Sequence, residues 1–192
     1  MKKIAKLSMM VLVMSGVVMA DEITDILTET TQTYKSGDYA KVKEDLTYVL
    51  DLLRQKKGST LKTMLPDALE GWKIETTKSN SGNAGMIGGV TSASRIYKKG
   101  SSKITINIIT DSPLLQSIGM MISNPMFSSG GKLKRINRQK AIIEYKENRK
   151  RGKLTMVVDK RFVINVEGKN ISEEDLISYA KAIDVKKLKA LK

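Results

Sequence analysis

Between Lys140 and Gly168 one pattern occurs three times. Ala141, Ile143 and Tyr145 alternate with Ile142, Glu144 and Lys146; Leu154, Met156 and Val158 alternate with Lys153, Thr155 and Val157; Phe162, Ile164 and Val166 alternate with Val163, Asn165 and Glu167. A strand turns successive side chains to opposite faces, so each run lays one apolar row along one face. Three such rows side by side form a sheet that needs a cover. The runs are joined by Asn148-Arg149-Lys150-Arg151-Gly152 and by Lys160-Arg161, turns short enough to make neighbouring strands antiparallel.

The remaining chain supplies edges and cover. Strands are expected at Trp72–Thr77, at Thr91–Lys99 and Lys103–Thr110 as a hairpin across Gly100-Ser101-Ser102, and at Lys132–Asn137. Helices are expected at Asp21–Ser36 and Tyr39–Lys57, where Val42, Leu46, Val49, Leu50 and Leu53 recur at three- and four-residue steps. Gly37 suits the stop between them, and Gly58-Ser59-Thr60 breaks or restarts the second before Pro66 ends it. Another helix fits Pro113–Ser123. A last one, Glu173–Ile183, follows Ser172, whose Ser-x-x-Asp spacing resembles a capping box. The tail Lys186–Lys192 is basic and partly apolar. The expected class is α+β: an antiparallel sheet of about six or seven strands packed with helices, preceded by a helical hairpin. Residues 1–20 read as a signal peptide, 21–65 as the hairpin and 66–192 as the sheet domain.

The address is read from the N-terminus. Lys2, Lys3 and Lys6 precede an apolar run from Leu7 to Met19, and Val18-Met19-Ala20 fits a cleavage site, with Asp21 the new first residue. The expectation is export to the periplasm, with no transmembrane segment left after cleavage. Cys and His are both absent from the 192 residues. That removes thiol nucleophiles, imidazole bases and the usual zinc ligands together. Neither a cofactor nor a metal is expected, and no residue is put forward as catalytic. The Gly-rich stretch Lys78–Gly89 is followed by a strand pattern rather than a helix, which argues for a loop or lid instead of a phosphate cradle.

Several segments carry a resemblance. YKSGDYAKVKEDLTYVLDL is similar to the junction of a tetratricopeptide repeat, and covers one repeat at most, so it implies a single helical hairpin rather than a peptide-binding solenoid. The element order looks like the PsbP-like α/β/α sandwich. LPDALEGW, TSASRIYKKG, TDSPLLQ with its NPM end, GGKLKRIN and KRFVINVEG resemble a group of exported proteobacterial proteins sharing an LPxxLxGW junction. That resemblance implies a periplasmic protein of this architecture and brings no functional residues.

Charge gives the first candidate surface. The formal net charge is +14, and Lys132–Arg161 alone holds twelve basic and three acidic residues. Lys132, Lys134, Arg135, Arg138, Arg149, Lys150, Arg151, Lys160 and Arg161 are the candidates for contact with an anionic partner: an envelope protein, a lipid headgroup or a phosphorylated polymer. The two turns should lie at opposite sheet ends, with Lys132 and Lys134 able to bridge them. Solubilising turn charge and protection of edge strands by Lys are the plainer reading. Nucleic acid is disfavoured because aromatic residues are sparse in the basic region. Met120, Met126 and Phe127 make a candidate apolar patch. Two functions are carried forward. One is a non-catalytic periplasmic accessory protein docking through a basic sheet face; the other is a carrier of a small apolar or lipid ligand near the Gly-rich loop and the 113–123 helix.

Overall fold

The computed structural model describes residues 18–82, 90–112, 115–123 and 131–191. The chain divides into two compact units, residues 1–52 and 53–192. The first is a helical hairpin of α1 (Val18–Lys35) and the start of α2 (Tyr39–Thr63). Gly37 takes φ +85° at the turn, and the Asp38 carboxylate accepts from the Lys41 backbone N–H at 3.0 Å, capping α2. Between the helices the Thr30 hydroxyl faces the Asp45 carboxylate, which also meets the Lys41 ammonium at 2.9 Å. Tyr48 donates to Glu22 at 3.0 Å. Val49 is buried, but Leu46 and Leu50 of the expected inner stripe are exposed. The expected break at Gly58 does not occur, because α2 runs on to Thr63. Gly58 approaches Ser79 and Thr91, and Leu61 is fully buried in the core of the second unit. The division therefore falls within α2, between Leu52 and Leu53, rather than at residue 65.

The second unit holds seven strands: β1 (Lys73–Gly82), β2 (Val90–Lys99), β3 (Ser102–Thr110), β4 (Lys132–Ile136), β5 (Gln139–Lys146), β6 (Arg151–Val158) and β7 (Phe162–Lys169). They form one antiparallel sheet in the order β1-β2-β3-β7-β6-β5-β4. The chain climbs a three-strand meander and crosses by way of α3 (Leu115–Ser123). It then returns from the far edge through β4, β5 and β6, until β7 closes against β3.

One face carries the expected apolar rows: Ile104, Ile106 and Ile108; Ile164 and Val166; Leu154, Met156 and Val158; Ala141 and Ile143. It is covered by α4 (Glu173–Ala182), α5 (Val185–Ala190) and the last turns of α2. Ser172 and Asp175 form the expected capping box. The tail left without an element is α5, capped by Asp184, with Val185 and Leu188 buried. Gly152 and Gly168 face each other across β6 and β7. A Cβ at Gly168 would lie 2.1 Å from Ile171 Cδ1, and one at Gly152 2.6 Å from Leu176 Cδ1, so both glycines let α4 and its lead-in lie flat on the sheet.

The 65–72 junction is pinned by side chains from the sheet. Arg95 donates to the carbonyls of Leu65 and Pro66 at 3.0 and 2.9 Å. Tyr97 donates to Pro66 at 2.6 Å, and the Tyr179 hydroxyl accepts from Leu69 N–H at 3.4 Å. Trp72 packs edge-on against Tyr179 at 5.4 Å, so the lone tryptophan is a core anchor. Among the described residues no helix is long and apolar enough to cross a membrane.

Candidate anion-binding face

The outer face of the sheet is built from the residues that alternate with the core, and it changes character along the strands. Nearest α3, Ile109 lies opposite Val163 and Val163 opposite Val157. α3 lies against β5, β6 and β7 here, and Ile142 and Val163 are buried. The next row is neutral: Asn107 lies opposite Asn165, and Thr155 donates to Asn165 at 2.8 Å. Then comes a mixed row in which Thr105 faces Glu167, Glu167 faces Lys153 and Lys153 faces Glu144. Lys153 and Glu167 are paired at 3.5 Å.

The last row is cationic throughout. Lys73 of β1 is opposite Lys98 of β2, and Lys98 is opposite Lys103 of β3. Lys103 is opposite Lys169 of β7, Lys169 opposite Arg151 of β6, and Arg151 opposite Lys146 of β5. Six cations thus stand in register across six of the seven strands. Lys98 is paired with Glu75, the residue at the β1 bulge. The other five have no ion pair among the described residues, and Lys73, Lys146, Arg151 and Lys169 are exposed. Like charges directly opposite on a sheet repel, so each adjacent pair costs the fold stability. Protection of sheet edges does not account for them, because β3, β7 and β6 are the three central strands.

A cleft of about 510 Å³ opens over this end. Lys103, Lys146, Arg149, Arg151, Lys153 and Lys169 line it, against the carboxylates of Glu144 and Glu167. Arg149 comes from the 3-10 turn Glu147–Arg149. Lys150 follows in the left-handed conformation at φ +44°, its carbonyl accepting from Ile171 N–H at 3.0 Å. The excess of cations and, among the described residues, the absence of aromatic side chains on this face suit an anion held by charge and hydrogen bonds, not by stacking. Among the described residues no group of three or more acidic side chains could hold a metal.

The nine basic residues singled out from the sequence separate into three places. Arg149, Lys150 and Arg151 reach the cationic end. Lys132 and Lys134 do not bridge the two ends: they share the core face with Ala141 and Ile143, and meet Glu173 of α4 at 4.0 and 2.8 Å. The hydrogen bond from Lys134 holds the Glu173 carboxyl below the usual carboxylate range. Arg135, Arg138, Lys160 and Arg161 lie at the far end, as the alternation of turns requires. Asn137 and Arg138, at φ +47° and +65°, make the tight β4–β5 turn. Arg161 donates to the Leu191 carbonyl at 2.7 Å, lies 3.7 Å from Asp159 and sits over the Phe162 ring. Met120 is exposed on α3 beside a cleft of about 1110 Å³. Met126 and Phe127 lie outside the described residues, as do residues 1–17 of the expected signal peptide and most of the Gly-rich stretch.

Sequence reasoning missed Lys73, Lys98, Lys103, Lys146, Lys153 and Lys169. The available signal was alternation itself: each sits on the polar phase of its strand. Their assembly into one row depends on β3 pairing with β7, which nothing local announces. Compared with known protein families, characterised proteins and solved structures, the chain has no match.

Proposed function

We propose that this is an exported, periplasmic, non-catalytic binding protein that docks an anionic envelope partner through the cationic end of its outer sheet face. The observation that carries this reading is the row of in-register cations on central strands. The row weakens the isolated fold, its cations on β3, β7 and β6 guard no edge, and an anionic partner offsets the repulsion. Export is supported by the charged and apolar pattern of the first twenty residues, and a binding role by the lack of Cys and His.

The test is retention of envelope components by the immobilised protein at low salt. Arg151→Glu with Lys169→Glu should abolish retention. Arg138→Glu with Lys160→Glu, an equal charge change at the far end, should leave it intact. Equal retention by both variants would remove the assignment.

A second reading has its own observation. The cleft beside α3 is lined by Leu115, Met120 and Val157, with Arg138, Lys140 and Lys160 nearby. This mixture suits an amphiphile with an acidic head, the lipid-carrier alternative. Mass spectrometry of the purified protein, before and after organic extraction, would find a stoichiometric lipid if that reading holds and none if it fails.

A further inference from the structure

The shape of the charge says more than its sign. Resting on the docking reading above, we infer that the occupant is a linear polyanion lying across the strands, in single file along Lys73, Lys98, Lys103, Lys169, Arg151 and Lys146. The row crosses five inter-strand gaps of about 4.8 Å, a length of about 24 Å. It is only one residue deep. The adjoining row offers Ile96, Thr105, Glu167, Lys153 and Glu144, with Glu75 beside Lys98 at the β1 end. A compact anion such as phosphate is held best by cations converging from several sides; here Arg149 and Lys153 stand off the row, and the other cations stand in a line. A flat anionic membrane would press Glu144 and Glu167 against like charge along with the cations. Insertion into lipid also wants an apolar anchor beside the charge. Among the described residues the apolar side chains nearest the row on this face are Ile96, half-buried beside it, and the exposed Leu133 on β4, two rows away. An extended chain bearing phosphate, sulfate or carboxylate groups meets the cations and passes the carboxylates by.

The defined probes are tripolyphosphate, a polyphosphate fraction long enough to span the row, heparin, and phosphatidylglycerol vesicles. Each is titrated into the full-length protein by calorimetry or fluorescence across a salt series. The long polyphosphate should bind, heparin should compete with it, and tripolyphosphate should bind far more weakly because it spans only part of the row. Arg151→Glu with Lys169→Glu should cut affinity for the long chain by about 30-fold or more. The slope of log K against log salt should fall by about 1.5 for the two cations removed. Lys43→Glu with Lys186→Glu, an equal change of net charge elsewhere, should shift affinity little. Thermal unfolding of each variant establishes that it folds, and loss of the Lys169 repulsion should if anything raise the midpoint. Equal affinity for tripolyphosphate and the long chain would overturn the single-file inference while leaving a docking face. Binding to vesicles alone would do the same and assign the face to a membrane. Affinity for the long chain unaltered by the row variant would overturn both.

Discussion

Gly168 and Lys169 are neighbours on the central strand, and they point to opposite faces of the same sheet. On the Gly168 side the space is so full that a single Cβ would lie 2.1 Å from Ile171. On the Lys169 side the residue is exposed and flanked by Lys103 and Arg151, each of which repels it. One face is filled by contacts within the chain; the other carries repulsion that the fold does not relieve. The contrast separates residues explained by folding from residues that folding leaves unexplained.

The largest effects should lie on the packed face. Gly168→Val places a branched side chain where Ile171 now sits, and should destabilise the protein by about 2–3 kcal/mol in urea unfolding. Gly152→Val, against Leu176, should behave alike. If either were neutral, α4 would not lie on the sheet as described, and the contrast of faces would be void.

Alkaline pH should attack the same side. Burial raises the Tyr97 phenol far above the ordinary phenol value and pushes Tyr179 up to about 12. Both phenols stay protonated longer in the folded chain than in the unfolded one. Stability is therefore full below about pH 10, the unfolded phenol value, and declines as pH rises further. Absorbance near 295 nm should show two tyrosines ionising only together with loss of the fold. Early, independent ionisation of Tyr97 would mean that its bond to Pro66 and the junction it pins are loose.

Charged residues divide by the same criterion, and here reading from sequence reached only part of the answer. The strands were legible because alternation is a local signal, and the capping box at Ser172 because its two partners are three residues apart. The run of α2 through Gly58 was not, since burial against Ser79 and Thr91 outweighs the helix penalty of one glycine. α5 was hidden by its shortness: two apolar residues, Val185 and Leu188, among three lysines do not make a visible period. For the candidate surface, the sequence put Arg149 and Arg161 at opposite sheet ends but left both in one set of candidates. Yet Arg161 is committed to Leu191, Asp159 and Phe162, while the true neighbours of Arg151 are Lys169 and Lys146 on other strands. Arg161→Ala should accordingly cost about 1–2 kcal/mol. Arg151→Ala should change stability by less than about 0.5 kcal/mol. Equal losses would erase the distinction between cations used by the fold and cations left over.

The smallest effect has the most telling sign. Lys169→Thr removes the central cation of the row and leaves a residue suited to a strand. If Lys103, Lys169 and Arg151 repel as their register dictates, the variant should be more stable than the parent by about 0.5–1 kcal/mol at low ionic strength. The gain should shrink in molar salt, where exposed charges a strand apart are screened. Lys153→Thr is the matching control, one row inward. It gives up the 3.5 Å contact with Glu167 and should show no gain at any salt. Thermal midpoints of the three proteins at low and high salt decide the matter. A stabilised Lys169→Thr that no longer binds polyanion would mean that the row opposes folding and serves binding. A destabilised one would mean that Lys169 has a role within the fold, and the outer face would then be no different in kind from the packed one.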